Sequence, residues 1–193
     1  MAAFLTANGL TVTSENAGTI GSGSLNHLDA LYVNRSGIAD ATAKAPAIEA
    51  WVRSGGVLIT EFDATALLLN GTTFGFFHAA TLDVPFGVPS GSVCGGNTAN
   101  VTSPGNALAA GLPATWSCSG DPIGVFQVYN EASLDPAIDR VVRANVDQNR
   151  DGALDPVVGA ACVDNGAVVA FFTDFGDWTP LQNPRVCPNP PCN

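Results

Sequence analysis

The feature that narrows the fold most is a strand–helix–strand unit with paired glycines at its second joint. Leu28-Asp-Ala-Leu-Tyr-Val33 is an apolar run long enough for a strand and too short for a helix. A helical pattern follows over residues 41–53, with Ile48, Trp51 and Val52 on one face and Asp40 as the expected N-cap. Gly55-Gly56 ends it, and Val57-Leu-Ile-Thr-Glu-Phe62 is a second strand of the same kind. Strands that are apolar throughout, rather than alternating, are covered on both faces, as in a parallel sheet flanked by helices. The expected class is therefore α/β, with a mostly parallel sheet.

The rest of the chain is read around that unit. Residues 2–9 read as the last turns of a helix ended by Asn8-Gly9, residues 10–14 alternate like a strand, and 15–26 form a Gly/Ser/Asn loop. Asp63 is placed to cap a short helix over 64–69. Periodicity then fades across 74–124, an irregular insert rich in Gly, Pro, Ser and Asn. Strands are expected at 125–129, 140–146 and 156–162, and Asn165-Gly166 turns the chain into another over 167–172. This half should add an antiparallel edge, and a Pro/Cys tail covers 179–193. At 193 residues and 46% apolar content, residues 1–193 are expected to form one domain.

Between the strands at 140–146 and 156–162 lies Asp147-Gln-Asn149-Arg-Asp151-Gly152-Ala153-Leu-Asp155. Calcium is a hard cation that takes about six to eight oxygen ligands, which short carboxylates and amides at alternate positions supply. Asp147, Asn149, Asp151 and Asp155 are the expected side-chain ligands, Ala153 would give its carbonyl, and Gly152 permits the bend. The twelfth position of an EF-hand would carry a bidentate Glu, but here it is Val158. The loop instead resembles the nine-residue calcium loops of integrin-type (FG-GAP) and thrombospondin-type repeats. The competing reading is an Asp/Asn/Gly-rich turn that holds no metal.

Net charge is −10, with Lys44 the sole lysine. That balance disfavours nucleic acid, which requires a basic face, and anionic membrane surfaces. No stretch approaches the roughly 20 apolar residues of a membrane span, and the first residues lack the basic start and length of a secretory signal. Five cysteines favour an oxidising, extracellular setting. A Cys94–Cys118 bridge would staple the insert, and a further bridge would involve Cys187 and Cys192. Cys162 is read as a buried thiol or the partner of a tail cysteine. A zinc site is disfavoured, since no C-x-x-C pair exists. Asn34, Asn70 and Asn100 head sequons, which matter only in a host that glycosylates.

Three pieces, in order, resemble the class I glutamine amidotransferase-like superfamily, particularly its ThuA-like members. The strand, helix, Gly-Gly, strand over residues 28–59 is the first. Asn106-Ala-Leu-Ala-Ala-Gly-Leu-Pro113 is similar to the family's H-P-L-x-x-G-L-P, and Pro156-Val-Val together with Asn165-Gly-Ala-Val-Val-Ala-Phe-Phe172 is similar to its closing segment. The resemblance implies a flavodoxin-like fold with helices on both faces. Its catalytic members place a nucleophilic Cys just after the strand matching 57–62. Here that turn reads Thr60-Glu61-Phe62-Asp63, and no His follows late in the domain. His27 and His78 come earlier and are read as structural. The family's first, central strand has no counterpart before residue 9, which makes a homo-oligomer or strand-sharing assembly an expectation.

Glu61 and Asp63 lie at a strand's C-terminal end, where α/β sheets place ligands, and Asp174 and Asp177 follow the last strand. A close carboxylate pair would serve as acid and base; the plainer reading is helix capping and turn bonds. Trp116, Tyr129 and Trp178 are either core or a sugar-stacking platform. The expected function is an extracellular, calcium-stabilised, non-catalytic structural or binding module. The alternatives are a hydrolase of carbohydrate or amide bonds acting through Glu61, Asp63 or Asp174, and a glycan-binding module.

Overall fold

The computed structural model describes residues 6–7, 9–34, 37–61, 64–65, 68, 72–74, 82–83, 98–109, 114–117, 128–129, 131, 134–144, 152–154 and 156–172. Nine strands and two helices are defined among them. They run β1 Ala30–Val33, α1 Ile38–Ala43, α2 Ala45–Arg53, β2 Val57–Glu61, β3 Leu82–Asp83, β4 Thr98–Val101, β5 Thr115–Ser117, β6 Val128–Tyr129, β7 Asp139–Ala144, β8 Pro156–Val163 and β9 Gly166–Phe171. Seven strands form one sheet in the order β1-β2-β9-β8-β7-β4-β5, and β3 with β6 forms a separate two-stranded ribbon. β1, β2 and β9 are parallel; from β9 outward every pairing is antiparallel. The α/β class is as expected, and the sheet is mixed rather than mostly parallel: its three parallel strands lie at one edge, and the antiparallel extension makes up the rest.

Alternation along the parallel strands divides the apolar residues between two faces. Leu31, Val33, Leu58, Val168 and Ala170 pack with Ile48, Trp51 and Val52 of α2 in the larger core. Val57, Ile59, Val169 and Phe171 turn the other way, towards Val141, Val142, Val157 and Val158. The helical stripe read from the sequence is thus the buried one. The helix itself is broken, however, at Lys44 (φ −109°), because Pro46 lies in the first turn of α2 and lacks the N–H a continuous helix needs. Gly37 takes the N-cap position of α1, and Asp40 falls in its first turn rather than capping.

Three further expectations are corrected. Residues 10–14 form no strand and pair with none of the described strands; Leu10 and Val12 are 55% and 38% exposed. The stretch 74–124 is not wholly irregular: β4 and β5 join the large sheet by antiparallel pairing with β7 and each other. These strands are too short to show a period in the sequence. Finally, the turn between β8 and β9 is centred on Asp164-Asn165, with Asp164 in the left-handed region (φ 51°), and Gly166 already belongs to β9.

Gly166 sits where the last strand enters the sheet against the end of α2. A Cβ there would fall 2.0 Å from the Val52 carbonyl oxygen and 2.4 Å from that of Gly56. The same corner is tied by Arg53. Its Nε and Nη2 donate to Glu49 Oε1 at 3.1 and 2.8 Å, and its Nη1 donates to Asp164 Oδ2 at 3.0 Å. Its guanidinium also lies 5.5 Å from the Phe74 ring centre. Thr73 donates its backbone N–H to Glu49 Oε2 at 3.0 Å and its hydroxyl to Oε1. Burial alone would raise the Glu49 pKa, but the Thr73 donors and Arg53 outweigh it and hold it below the ordinary 4.5.

Two outcomes follow from this corner. Gly166→Ala should destabilise the domain by about 3 kcal/mol, because the obstructing atoms are backbone and cannot swing aside; urea unfolding reads this. A carboxylate with a depressed native pKa stabilises above its unfolded value and loses that contribution as pH falls through the native one. Stability measured between pH 6 and pH 3 should therefore fall less steeply for Glu49→Gln than for the parent. Equal slopes would remove Glu49 from the acid response.

Candidate functional site

The C-terminal ends of β1, β2 and β9 are where a parallel sheet offers a ligand crevice. Here the end of β2 is filled from within. Thr60 points to the larger core and is fully buried, as is Thr65. Their hydroxyls are 2.6 Å apart, and Thr65 Oγ1 reaches towards the Phe171 carbonyl at 3.5 Å. With Thr65 donating to Phe171, Thr60 donates to Thr65, so one chain of polar contacts closes β2 onto β9. Glu61 points to the opposite face beside Phe171, its register partner, and is 2% exposed. A general acid or base must reach its substrate, and this carboxylate is enclosed.

The open polar site lies elsewhere, beside the start of β7. A cavity of about 750 Å³ is lined by Thr102, Ser103, Glu131, residues 136–140 and Arg143. Glu131 is its hub: Oε1 accepts from Arg140 Nε at 3.0 Å and Oε2 from Arg143 Nη1 at 2.8 Å. Arg140 then turns its remaining donors on the loop carbonyls of Leu134, Asp135 and Ile138. Arg143 Nη1 also donates to the Leu154 carbonyl at 2.6 Å, tying the cavity to the segment just before β8. Asp139 accepts from Ser103 Oγ at 2.5 Å and from Asn106 Nδ2 at 2.7 Å. Two guanidinium groups and two carboxylates balance, so the wall is polar without a strong net field.

The third element is the β7–β8 hairpin, whose strands flank the proposed calcium loop as expected. Gly152 has φ +94°, in the left-handed region, and Ala153 is half-buried. Asp147, Asn149, Asp151 and Asp155 lie outside the described residues. So do Asp63, Asp174, Asp177, His78, Trp178, Cys94, Cys118, Cys187 and Cys192. No cluster of three or more metal-ligating His, Cys, Asp or Glu occurs among the described residues.

Among the other singled-out residues, His27 is exposed and contacts Glu15 at 3.1 Å, holding the 15–27 loop. Trp116 is in β5 of the large sheet and Tyr129 in the separate ribbon. Cys162 is corrected from a buried thiol to an exposed, free one, because its position in β8 points outward while its neighbours Ala161 and Val163 face the core. The cavity residues were missed by sequence reading. The available signal was scarcity: Arg140 and Arg143 are two of only seven basic residues, flanking Val-Val in one strand.

No protein-family model matches the sequence, and no curated protein matches it. Solved structures do match the fold. A cytoplasmic protein from Salmonella typhimurium LT2 superposes with a TM-score of 0.60 at 12% identity, over 90% of this chain and 74% of its own. A ThuA-like protein from Bacteroides uniformis gives 0.55 at 10% identity, over 83% of this chain and 65% of its own. A cold-adapted β-galactosidase from Rahnella sp. R3 gives 0.54 at 16% identity, but the match spans only 23% of that enzyme and 88% of this chain. The fold is therefore ThuA-like, and at these identities the likeness carries fold alone. The extracellular placement drawn from the cysteines is withdrawn: the Salmonella structure is described as cytoplasmic, and Cys162 is unbridged. No helix among the described residues is long and apolar enough to cross a membrane.

The closed strand end makes its own forecast. Thr65→Val leaves the Thr60 hydroxyl buried without its partner and should cost about 1–3 kcal/mol, whereas Thr60→Val with Thr65→Val should cost less than the sum of the two single changes. Additive losses in a double-mutant cycle would mean that the hydroxyls do not act together.

Proposed function

We propose that this chain is a non-catalytic structural or binding module that holds calcium in the β7–β8 hairpin and uses its ThuA-like fold for assembly rather than reaction. The observation that carries the non-catalytic half is the closed end of β2. Glu61 is 2% exposed, and the Thr60 and Thr65 hydroxyls are engaged with each other in the core. The turn that carries the nucleophile in catalytic relatives has neither Cys nor Ser here. A hydrolase working through Glu61 would need that carboxylate on an open groove.

The calcium half is supported by the loop's ligand-type residues and by the local backbone. Two antiparallel strands bring the loop ends together, Gly152 makes the required bend, and the Leu154 carbonyl is held by Arg143. Asp147, Asn149, Asp151 and Asp155, with the Ala153 carbonyl, would supply the oxygens. An ion bound only by the native state stabilises that state by mass action. Arg143 would pass this restraint to Glu131 and the cavity, so calcium acts here on folding and order.

Calcium at 100 times its dissociation constant should add about 2.7 kcal/mol and raise the melting temperature. Excess chelator, or Asp147→Ala combined with Asp151→Ala, should abolish the rise. A melt indifferent to calcium, with no ion retained on equilibrium dialysis, sinks the calcium reading. Hydrolytic turnover that disappears in Glu61→Gln sinks the non-catalytic one.

A further inference from the structure

We infer that the cavity beside the start of β7 is a binding site for a small organic anion with one carboxylate and a short apolar body, and that Arg143 receives the carboxylate. The inference goes beyond the reading above and needs neither calcium nor assembly. It starts from the backbone of β7. Arg140 faces Gly159 of β8, Val142 faces Val158 and Arg143 faces Pro156, so the register slips on either side of Val142. On a regular strand, residues three apart point to opposite faces. Here Val141 and Val142, adjacent in sequence, both enter the smaller core, and Arg140 and Arg143 both reach Glu131. An irregularity of this kind re-aims side chains, and bulges are concentrated beside functional sites.

The two arginines brought to one carboxylate are used differently. Arg140 gives Nε to Glu131 and turns Nη1 and Nη2 on the carbonyls of Leu134, Asp135 and Ile138. It builds the wall. Arg143 is anchored through Nη1, whose two hydrogens go to Glu131 Oε2 at 2.8 Å and the Leu154 carbonyl at 2.6 Å. A guanidinium carries its donors in a rigid fork, and Nε and Nη2 hold the remaining ones. That edge matches the two oxygens of a carboxylate side-on. Arg143 lines the cavity with 22% of its side chain exposed, against 13% for Arg140.

Charge and shape select the ligand class. Two guanidinium groups share Glu131, so this wall keeps one positive charge. The other carboxylate of the cavity, Asp139, lies four residues along β7 at about 3.3 Å per residue, and its oxygens already accept from Ser103 and Asn106. Its repulsion of a monoanion at Arg143 is therefore weak. A dianion would feel it doubled, and with it the field of a chain of net charge −10. Pro136, Ala137 and Ile138 supply the apolar part of the lining, and a volume of about 750 Å³ is of the size that small-molecule sites have. The wall is already held by its own hydrogen bonds, so little ordering opposes binding.

The test is titration of the ¹⁵N-labelled chain with butyrate, butyramide and inorganic phosphate, in excess chelator and at an ionic strength held constant with chloride. The readout is the Nε–H resonances of the six arginines (seven basic residues less Lys44), assigned through the backbone. Butyrate should bind saturably, with a dissociation constant of about 1 mM, and should move the Arg143 resonance most. Butyramide, which has the same shape without the charge, and phosphate should each bind about tenfold more weakly or worse. Arg143→Lys keeps the charge but loses the fork, and should weaken butyrate by about tenfold. If that variant does not fold, the Arg143 resonance of the parent decides alone. A response that never saturates, one centred on another arginine, butyramide binding as well as butyrate, or phosphate binding more tightly than butyrate each overturns the inference. So does a folded Arg143→Lys variant that binds butyrate as the parent does. Because chelator is present throughout, a failure here leaves the hairpin reading standing.

Discussion

The parallel pairing of β2 with β9 is the joint on which the rest of the molecule depends. Val57 through Glu61 lie beside Ala167 through Phe171, so the strand–helix–strand unit of the first third of the sequence is completed by the last strand described. The joint is closed at one end by backbone packed to contact distance at Gly166, and at the other by the Thr60–Thr65 hydroxyl pair. The Gly166 end sits against the end of α2 and its following turn, and the apolar row of this face packs with α2 in the larger core. Everything from β8 to β5 is hung on β9 by antiparallel pairing and adds the smaller core.

This arrangement separates three roles along the sheet. The Arg53–Glu49–Thr73 cluster fixes the end where β9 enters. The opposite end, where related folds position reactive groups, is occupied by the protein's own side chains. The open polar cavity belongs to neither; it is organised by Glu131 between two arginines and is linked through Leu154 to the hairpin. A network of this kind, with each carboxylate oxygen already bonded, ties Glu131 to residues 134–140 and leaves little of the cavity wall free to move.

The sequence made some of this legible and not the rest, for physical reasons. The parallel strands could be read because residues 30–33, 57–61 and 166–171 are apolar runs of strand length, and because Ile48, Trp51 and Val52 keep a helical spacing. The break at Lys44 is encoded by Pro46, which the helical stripe of Ile48, Trp51 and Val52 masks. β4 and β5 were illegible, since Thr98-Ala-Asn-Val101 and Thr115-Trp-Ser117 are held by cross-strand bonds to β7 and carry almost no periodic signal of their own. Residues 10–14 had the period of a strand but pair with no strand among the described residues. Glu61 was correctly placed at a strand end, but its enclosure depends on side chains distant in sequence. The Glu131–Arg140–Arg143 cavity depends likewise on a long-range fold and was not read at all.

The distance in sequence between β2 and β9 also governs how such a chain is made. Val57 cannot find Ala167 until more than a hundred further residues exist, and parallel pairs closed over so long a loop form slowly. During synthesis the α2 stripe and β2 would wait with their apolar faces uncovered, while the antiparallel hairpin of β8 and β9, local and quick to form, arrives as a finished edge. Chaperone demand for this domain should therefore concentrate on its first sixty or so residues, during the interval before that hairpin emerges from the ribosome.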